Sequence, residues 1–328
     1  MREPLQISVA LPVFNEQATL PELYRRLKRV LTDLGLSHEV IFVNDGSSDD
    51  SWNVILSLAD RDPTVKAMAL SRNFGSQVAI TAALDASLGA SVVVMDADLQ
   101  DPPELIAEMY AKFCEGYDVV YAQRRVRKGE TWWKRATAKA FYRLMHRMTT
   151  IDIPLDTGDF RLMSRRVADD LRRFQERSRF IRGLVTWVGY NQTPVFYDRD
   201  PRFAGQTKFS TAAMFKFAVD GITSFSSRPL RVASQIGLFF AMASMAAMVG
   251  LVAYKLLGGT GLVQGWTSLI VVVLFLGGLQ LVAIGVAGEY IGRIYEQAMG
   301  RPIYLVKDRI NMPETNRVDV TSDVTRVR

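Results

Sequence analysis

Residues 92–104 read VVVMDADLQDPPE: an apolar run, then three acids within six positions, then two prolines. A short β-branched run of this kind predicts a buried strand. Side chains two apart on an extended segment share a face, so Asp96, Asp98 and Gln100 are expected together at the strand's end. Like charges that close repel, and a cation between them would resolve the conflict. Two carboxylates and an amide oxygen form a hard-oxygen site suited to Mg²⁺ or Mn²⁺, with few protein ligands and the remainder from substrate phosphates. A bare Asp-X-Asp also occurs in ordinary solvated loops, so the neighbouring segments decide.

Outward from this stretch, the N-terminal part alternates strand-like and helix-like patterns. ISVALPV (7–13) precedes a helix over about 20–34, and EVIFVND (39–45) precedes a helix from about Asp50. VKAMAL (65–70) then precedes a helix near 77–88, and SVVVMDAD (91–98) follows. The order βαβα predicts an α/β fold with a mainly parallel sheet covered by helices and ligands beyond the strands' carboxyl ends. LPVFNE, VNDGSSDDS and SRNFG each fall where a strand should finish. Glu16, Asp45 and Asp96 are therefore expected to converge on one crevice that fits a nucleotide. Asp45 would accept hydrogen bonds from a base or ribose, with Gly46 and Ser47 making the tight turn. The plainer alternative is a turn that caps the next helix.

The 328 residues suffice for one large domain with appendages or for two domains, and carry 40 Lys+Arg against 34 Asp+Glu, a net charge of +6. Cys114 is the single cysteine, which excludes an intrachain disulfide and favours a reducing compartment. His38, expected on a connection, and His146 are too far apart for a local metal motif, and no Ser-His-Asp arrangement is readable. The N-terminal apolar run is too short for a secretory signal, so a cytosolic domain is expected.

The C-terminal part differs in kind. Ile236–Leu257 and Ser268–Ala287 are nearly free of charge and match the length of two transmembrane helices. Arg228 and Arg231 precede the first, and Arg293, Arg301, Lys307 and Arg309 follow the second. Their connection holds only Lys255. The positive-inside rule then places the α/β domain and both termini in the cytoplasm, with Trp266, Tyr290 and Tyr295 suited to the interfaces. ETWWKRATAKAFYRLMHRM (130–148) and STAAMFKFAVDGITSF (210–225) read as interfacial helices, or as amphipathic helices packed on the domain. Beside two membrane spans such basic aromatic segments favour lipid over nucleic acid. The expected division is a catalytic domain over 1–205, an interfacial segment over 206–230, two membrane helices over 231–290 and a cytoplasmic tail over 291–328.

PVFNE, VNDGS, SRNFG, DADLQDPPE, GDFRL and RFAGQTKF, in this order, resemble glycosyltransferase family 2. More narrowly they resemble its polyprenyl-phosphate glycosyltransferases, related to dolichyl-phosphate mannose synthase, with two C-terminal membrane helices. The similarity runs from Ile7 to Tyr295. Phe14, Asn44, Thr207 and Phe209 depart from the common residues, and none of them is a metal ligand. The resemblance implies a GT-A fold and an inverting, metal-dependent transfer of sugar from a nucleotide-sugar to a polyprenyl phosphate at the cytoplasmic face of a bacterial plasma membrane. It implies that Pro12, Glu16, Asp45 and Asp96 hold the nucleotide, and that Asp96, Asp98 and Gln100 hold the metal and diphosphate. Arg124, Arg202 and Lys208 would meet phosphates, and Asp159 occupies the position of a catalytic base. That role is open, because an acceptor phosphate is already ionised near neutral pH; Asp159 would otherwise orient the acceptor, or be a plain turn residue. Glucose from UDP-glucose is the first donor expectation, GDP-mannose or a modified pentose the second. A non-catalytic nucleotide-sugar-binding scaffold is the rival from another class. The sequence leaves the oligomeric state open, a homo-oligomer included.

Overall fold

The computed structural model describes residues 5–125, 157–174, 176–177, 179–198, 226–257 and 265–312. The chain runs β1 (Ile7–Val13), α1 (Leu20–Asp33), β2 (His38–Asn44), α2 (Ser51–Arg61), β3 (Val65–Leu70), α3 (Ser76–Ala86), β4 (Ser91–Val94) and α4 (Leu105–Cys114). It continues through β5 (Val119–Arg124), β6 (Thr157–Ser164), α5 (Arg165–Arg173), α6 (Ile181–Trp187), β7 (Gln192–Tyr197), α7 (Arg228–Leu256), α8 (Trp266–Ala298) and β8 (Val306–Ile310). His38 is thus the first residue of a strand, not part of a connection. The two expected interfacial helices, Arg202, Lys208 and His146 lie outside the described residues.

One sheet holds all eight strands in the order β7-β5-β6-β4-β1-β2-β3-β8. β3-β2-β1-β4 are parallel, as the βαβα pattern predicts. β6 runs antiparallel to β4 and β5, and β8 antiparallel to β3, so the sheet is mixed rather than mainly parallel. The central strands are buried on both faces, which is why they read as continuous apolar runs. Val9, Leu11, Val40, Phe42 and Val93 face one core, shared with Leu20, Leu23 and Leu27 of α1, Ile55 of α2 and Ile106 of α4. Ala10, Ile41, Val43, Val92 and Val94 face the other, shared with α3, α5 and α6.

Local chemistry sets the helix ends. Leu20, Leu23, Leu27, Val30 and Leu31 make one buried stripe at helical spacing on α1, and a proline sits in its first turn, where no backbone donor is missed. Ser164 caps α5 by accepting from the Val167 N–H. Arg165 and Arg172 reach across to the carboxyl end of α3, donating to Ser87 O at 3.0 Å and Leu84 O at 3.1 Å, where a helix leaves carbonyls unpaired and favours cations.

The expected segment Ser268–Ala287 falls within the long helix α8, and Ile236–Leu257 lies in α7 but for its last residue. Among the described residues, one segment, Phe275–Ala298, is long and apolar enough to cross a bilayer, with a mean hydropathy of 1.4. Of the expected pair, one such candidate is thus found among the described residues. Phe240 of α7 packs edge-on against Phe275 of α8, with ring centroids 5.6 Å apart. Tyr290 of α8 donates to Ser226 O, just before α7, at 2.6 Å. At the end of α8, Glu296 O accepts from Arg177 Nη1 at 2.9 Å and Gln297 Oε1 accepts from Arg177 N at 3.1 Å. The two helices thus form a hairpin whose open end rests on the α/β domain. The boundary expected at residue 290 falls inside α8, and part of the expected tail returns to the sheet as β8.

Candidate active site

The strand order changes direction between β1 and β4, because β2 and β3 lie on one side of β1 and β4 on the other. Ligands of open α/β sheets bind at such a switch point. Pairing of β1 with β4 stops at Ala10↔Val94, with one further bond from Met95 N to Ala10 O at 3.2 Å. Pairing with β2 continues to Val13↔Asn44, and Val13 O accepts from Asp45 N at 2.8 Å. Peptide groups alternate between neighbours along a strand, so the Pro12 nitrogen turns towards β4 just beyond the last pair, where its missing N–H costs no ladder bond. Pro12 therefore lines the place where the crevice opens.

The loops after β1 and β2 are laced together. Asn15, at φ 55°, donates its N–H to Ser47 Oγ at 3.0 Å and accepts from Ser48 N at 2.8 Å. Glu16 N donates to Ser51 Oγ at 2.8 Å, and Asp50 N to Gln17 Oε1 at 2.8 Å. Asn44 accepts from Ser47 N at 3.1 Å, which gives this residue a turn-forming role. The half-buried Glu16 carboxylate accepts from Thr19 Oγ1 at 3.1 Å. Asp45 is buried, and its two oxygens accept from the N–H groups of Phe74 at 2.7 Å and Gly75 at 2.9 Å. Burial pushes its carboxyl up, only partly offset by those bonds and by Arg72. Asp45 thus ties the SRNFG loop to the crevice, a contact that sequence reading did not anticipate. Gly46 completes the join: its φ is 66°, and a Cβ there would lie 2.6 Å from the backbone of Arg72 and Asn73.

The acidic stretch follows β4 in a bend rather than on the strand, which ends at Val94. The alternation nevertheless persists: Met95, Ala97 and Leu99 are buried, while Asp96, Asp98 and Gln100 are only partly buried. Leu99 takes φ 58°, and Asp98 Oδ1 accepts from Gln100 N at 3.1 Å. The β4–β6 register, Val94↔Arg161, sets Asp159 opposite Asp96 when extended by two residues.

Asp159 lies inside β6 and is buried, which excludes the turn reading. Its Oδ1 accepts from Arg182 Nε at 3.3 Å and its Oδ2 from Gln77 Nε2 at 3.0 Å. Gln77 Oε1 in turn accepts from Ile181 N at 2.9 Å, so the amide orientation is fixed by its partners. Burial raises the Asp159 carboxyl, but Arg182, Arg161 and Gln77 outweigh it and hold the group below the ordinary carboxylate range. Asp96 goes the other way, pushed up to about 8 by burial and by the charges of Asp159, Asp101 and Asp98. Arg161 is buried among these groups and donates to Gly158 O at 3.0 Å; burial lowers it to about 10. At the edge of the cluster the Tyr197 hydroxyl donates to Asp101 Oδ1, and Arg124 Nε donates to Tyr197 Oη at 3.2 Å. A Cβ on Gly158 would lie 3.3 Å from Arg124 Nη2 and 3.6 Å from Asp101 Oδ2, so Arg124 and Asp101 meet beside Gly158 at the cluster's edge.

Of the expected site residues, Pro12, Asp45, Asp96 and Asp159 share one face of the sheet; Glu16 lies in the loop after β1 and Arg124 at the cluster's edge. Gln77, Arg161, Arg182, Asp101 and Tyr197 join them unforeseen. Among the described residues no group of three or more His, Cys, Asp or Glu side chains forms a ready metal cage. The donor set still fits a hard cation held by two carboxylates, an amide and ligand oxygens, because Asp96, Asp98 and Gln100 alternate with the buried Met95, Ala97 and Leu99 and all three offer hard oxygens.

The mixed α/β sheet with an acidic crevice at its switch point suits a glycosyltransferase of GT-A-like fold, and the family match assigns that class. Residues 8–172 match the model of the family described as Glycosyl transferase family 2, and the chain belongs to that family. An uncharacterized glycosyltransferase of Bacillus subtilis (strain 168) is 50% identical over 94% of this chain and 95% of its own. One from Synechocystis sp. is 48% identical over 93% and 95%. The bactoprenol glucosyl transferase of Shigella phage SfX is 41% identical over 93% of this chain and 100% of its own.

Proposed function

We propose that this glycosyltransferase moves glucose, with inversion, from UDP-glucose to a membrane polyprenyl phosphate such as undecaprenyl phosphate. The observation that carries the reading is the apposition of the Asp96–Asp98 bend and Asp159 at the crevice. The full-length similarity to a bactoprenol glucosyl transferase supports the choice of sugar and acceptor. The nucleotide would lie along Pro12, Glu16 and Asp45. Mg²⁺ or Mn²⁺ would be held by Asp96, Asp98 and Gln100 and would stabilise charge on the leaving diphosphate as a Lewis acid. Arg124, Arg202 and Lys208 would clamp phosphates through charge-assisted hydrogen bonds.

Asp159 is bonded on both oxygens and held ionised, so it acts as an orienting group for the acceptor rather than as a proton acceptor. The acceptor phosphate is already ionised and needs no base. Its oxygen attacks the anomeric carbon in line as the bond to the diphosphate oxygen breaks. Asp159→Asn should then lose about a hundredfold in rate through misplacement alone and keep its UDP affinity. Wild-type-like turnover in that variant would remove Asp159 from the mechanism.

A bilayer setting is supported by the apolar, exposed segment Phe275–Ala298, and chain parity constrains how the hairpin would cross. The hairpin leaves the α/β domain before α7 and returns after α8, so the two helices cross together or not at all. With Phe275–Ala298 largely apolar and exposed, crossing by its apolar part is the reading that covers it, its last turns staying at the α/β domain, and the domain and β8 then share one side of the membrane, taken as the cytoplasmic side of the plasma membrane by the flanking arginines. The deciding experiment incubates detergent-purified protein with Mg²⁺ or Mn²⁺, undecaprenyl phosphate and a panel of labelled nucleotide-sugars. Label entering the organic phase from UDP-glucose is expected. Transfer only from GDP-mannose or a pentose donor would replace the sugar, and nucleotide binding without any transfer would favour the scaffold.

A further inference from the structure

β8 attaches to one βα unit at several points. It pairs with the outer edge of β3 over Ala67↔Ile310, Met68↔Arg309, Ala69↔Asp308 and Leu70↔Val306. Just before it, Leu305 O accepts from Ser71 N at 2.9 Å, at the first residue of the SRNFG loop. Tyr304 donates its hydroxyl to Asp85 Oδ2 at 2.9 Å, near the far end of α3. Just after β8, Asn311 Nδ2 donates to Ala59 O at 2.9 Å and Val65 O at 3.0 Å, at the start of β3. The C-terminal segment therefore grips strand, loop entrance and helix of the same unit. Between those grips the unit presents the Phe74 and Gly75 amides to Asp45 and the Gln77 amide to Asp159.

We propose that Tyr304–Asn311 is a positioning element of the donor site: it sets the β3–α3 unit so that the SRNFG loop and Asp45 stand where the nucleotide binds. The inference rests on the nucleotide placement given under Proposed function. The segment touches no substrate itself. It is joined to the end of α8 by only five residues, Met299–Ile303, so the membrane-directed hairpin and the donor loop are held by one short connection. The three central residues of β8, Lys307, Asp308 and Arg309, are exposed, and its hold relies on edge hydrogen bonds with partly buried Tyr304, Val306, Ile310 and Met312. Such an edge belongs to the less stable parts of a fold, where lost bonds change position before they change folding.

The test uses the full chain in detergent with Mn²⁺, UDP as the probe, and the double variant Tyr304→Phe/Asn311→Ala. Titration calorimetry should give UDP binding weaker by about five- to tenfold, the lower range of coupling between linked sites. KM for UDP-glucose should rise in step while KM for undecaprenyl phosphate stays unchanged. Tyr24→Phe is the matched control, since it removes a hydroxyl bond to Asp62, away from the crevice, and should leave UDP affinity alone. If the double variant misfolds, Tyr304→Phe by itself, which keeps the ring, should show the same split at smaller size. Unchanged UDP affinity in folded variants, or an equal loss in Tyr24→Phe, would overturn the proposal. A wild-type chain that binds GDP and not UDP would count against the donor reading instead, and the same comparison is then made with GDP.

Discussion

The two ends of the sheet treat buried charge in opposite ways. At the amino end, Glu39 of β2 is buried, yet its Oε1 accepts from Ser8 Oγ at 2.5 Å and Leu88 N at 2.7 Å, and its Oε2 pairs with Lys66. Gly89 N donates to the same Ser8 hydroxyl at 2.7 Å. The set closes on itself. At the carboxyl end, Asp159, held by Arg182, stands with Asp101 and Asp98 near Asp96, which burial and these neighbouring acids raise against the opposing charge of Arg182. Charge satisfied within the chain serves the fold, and charge in excess beside a crevice marks a candidate functional site.

Removing one acid from each end should break this comparison most sharply. Glu39→Ala leaves Lys66 nearly buried without its partner and should cost about 3–5 kcal/mol of stability. UDP affinity of the folded fraction should not change. Denaturant unfolding followed beside UDP titration checks both; a small stability loss would mean that Lys66 reaches water instead. Asp98→Ala is the counterpart. It should lower transfer by about a hundred- to a thousandfold, the size lost when one group stabilising transition-state charge is removed. Its stability should stay within about 0.5 kcal/mol of wild type, as for other partly exposed positions. Normal transfer by Asp98→Ala would remove the cation from this bend.

The difference between the ends was only partly legible. Asp45, Asp96 and Asp98 were readable because each follows an apolar run, and the burial alternation over residues 95–100 kept their spacing meaningful past the strand's end. Gln77, Arg182 and Tyr197 were not, because their bonds to Asp159 and Asp101 span 82, 23 and 96 positions and leave no local pattern. The Glu39 network was hidden for the same reason: Leu88 lies 49 positions away. β8 reads VKDRI, three charged residues between two apolar ones, which is the look of a solvated tail. An exposed edge strand needs no buried alternation, so nothing in its sequence announces a strand.

A smaller effect is expected at Asp62, which caps α2 and accepts from Tyr24 at 2.6 Å, Lys28 at 2.6 Å and Thr64 Oγ1 at 2.7 Å. Burial pushes this carboxyl up, yet those bonds prevail and hold it well below the ordinary range. A lowered folded value stabilises above the unfolded one, near 3.9, and that contribution fades as pH falls through the folded value. Asp62→Asn should therefore cost about 1.5–3 kcal/mol near neutral pH, the worth of a charge-assisted bond. The gap to wild type should narrow below about pH 4. Parallel unfolding curves at neutral and acid pH check this, and a gap independent of pH would mean that packing, not charge, holds Asp62.

The smallest effect is the one that separates the two ends by sign. Asp96 is raised to about 8, so the metal-free fold binds more protons than the unfolded chain between about pH 4 and pH 8. Its contribution to stability must then decline as pH rises through that window, opposite to the Asp62 case. A divalent cation binds the ionised form, so the stabilisation it confers should grow over the same range. At a cation concentration five times Kd this gain is only about 1 kcal/mol. Thermal unfolding with and without Mg²⁺, from about pH 5 to about pH 8, should give a cation-induced shift that increases with pH in the wild type and is lost in Asp96→Asn. Glu39→Gln should retain the shift, because its carboxylate belongs to the closed network. A shift of equal size at every pH, or one that survives Asp96→Asn, would place the cation elsewhere. The excess charge at the carboxyl end would then need a different ligand, with the donor's own phosphates excluded by sign and the site arginines left to balance it.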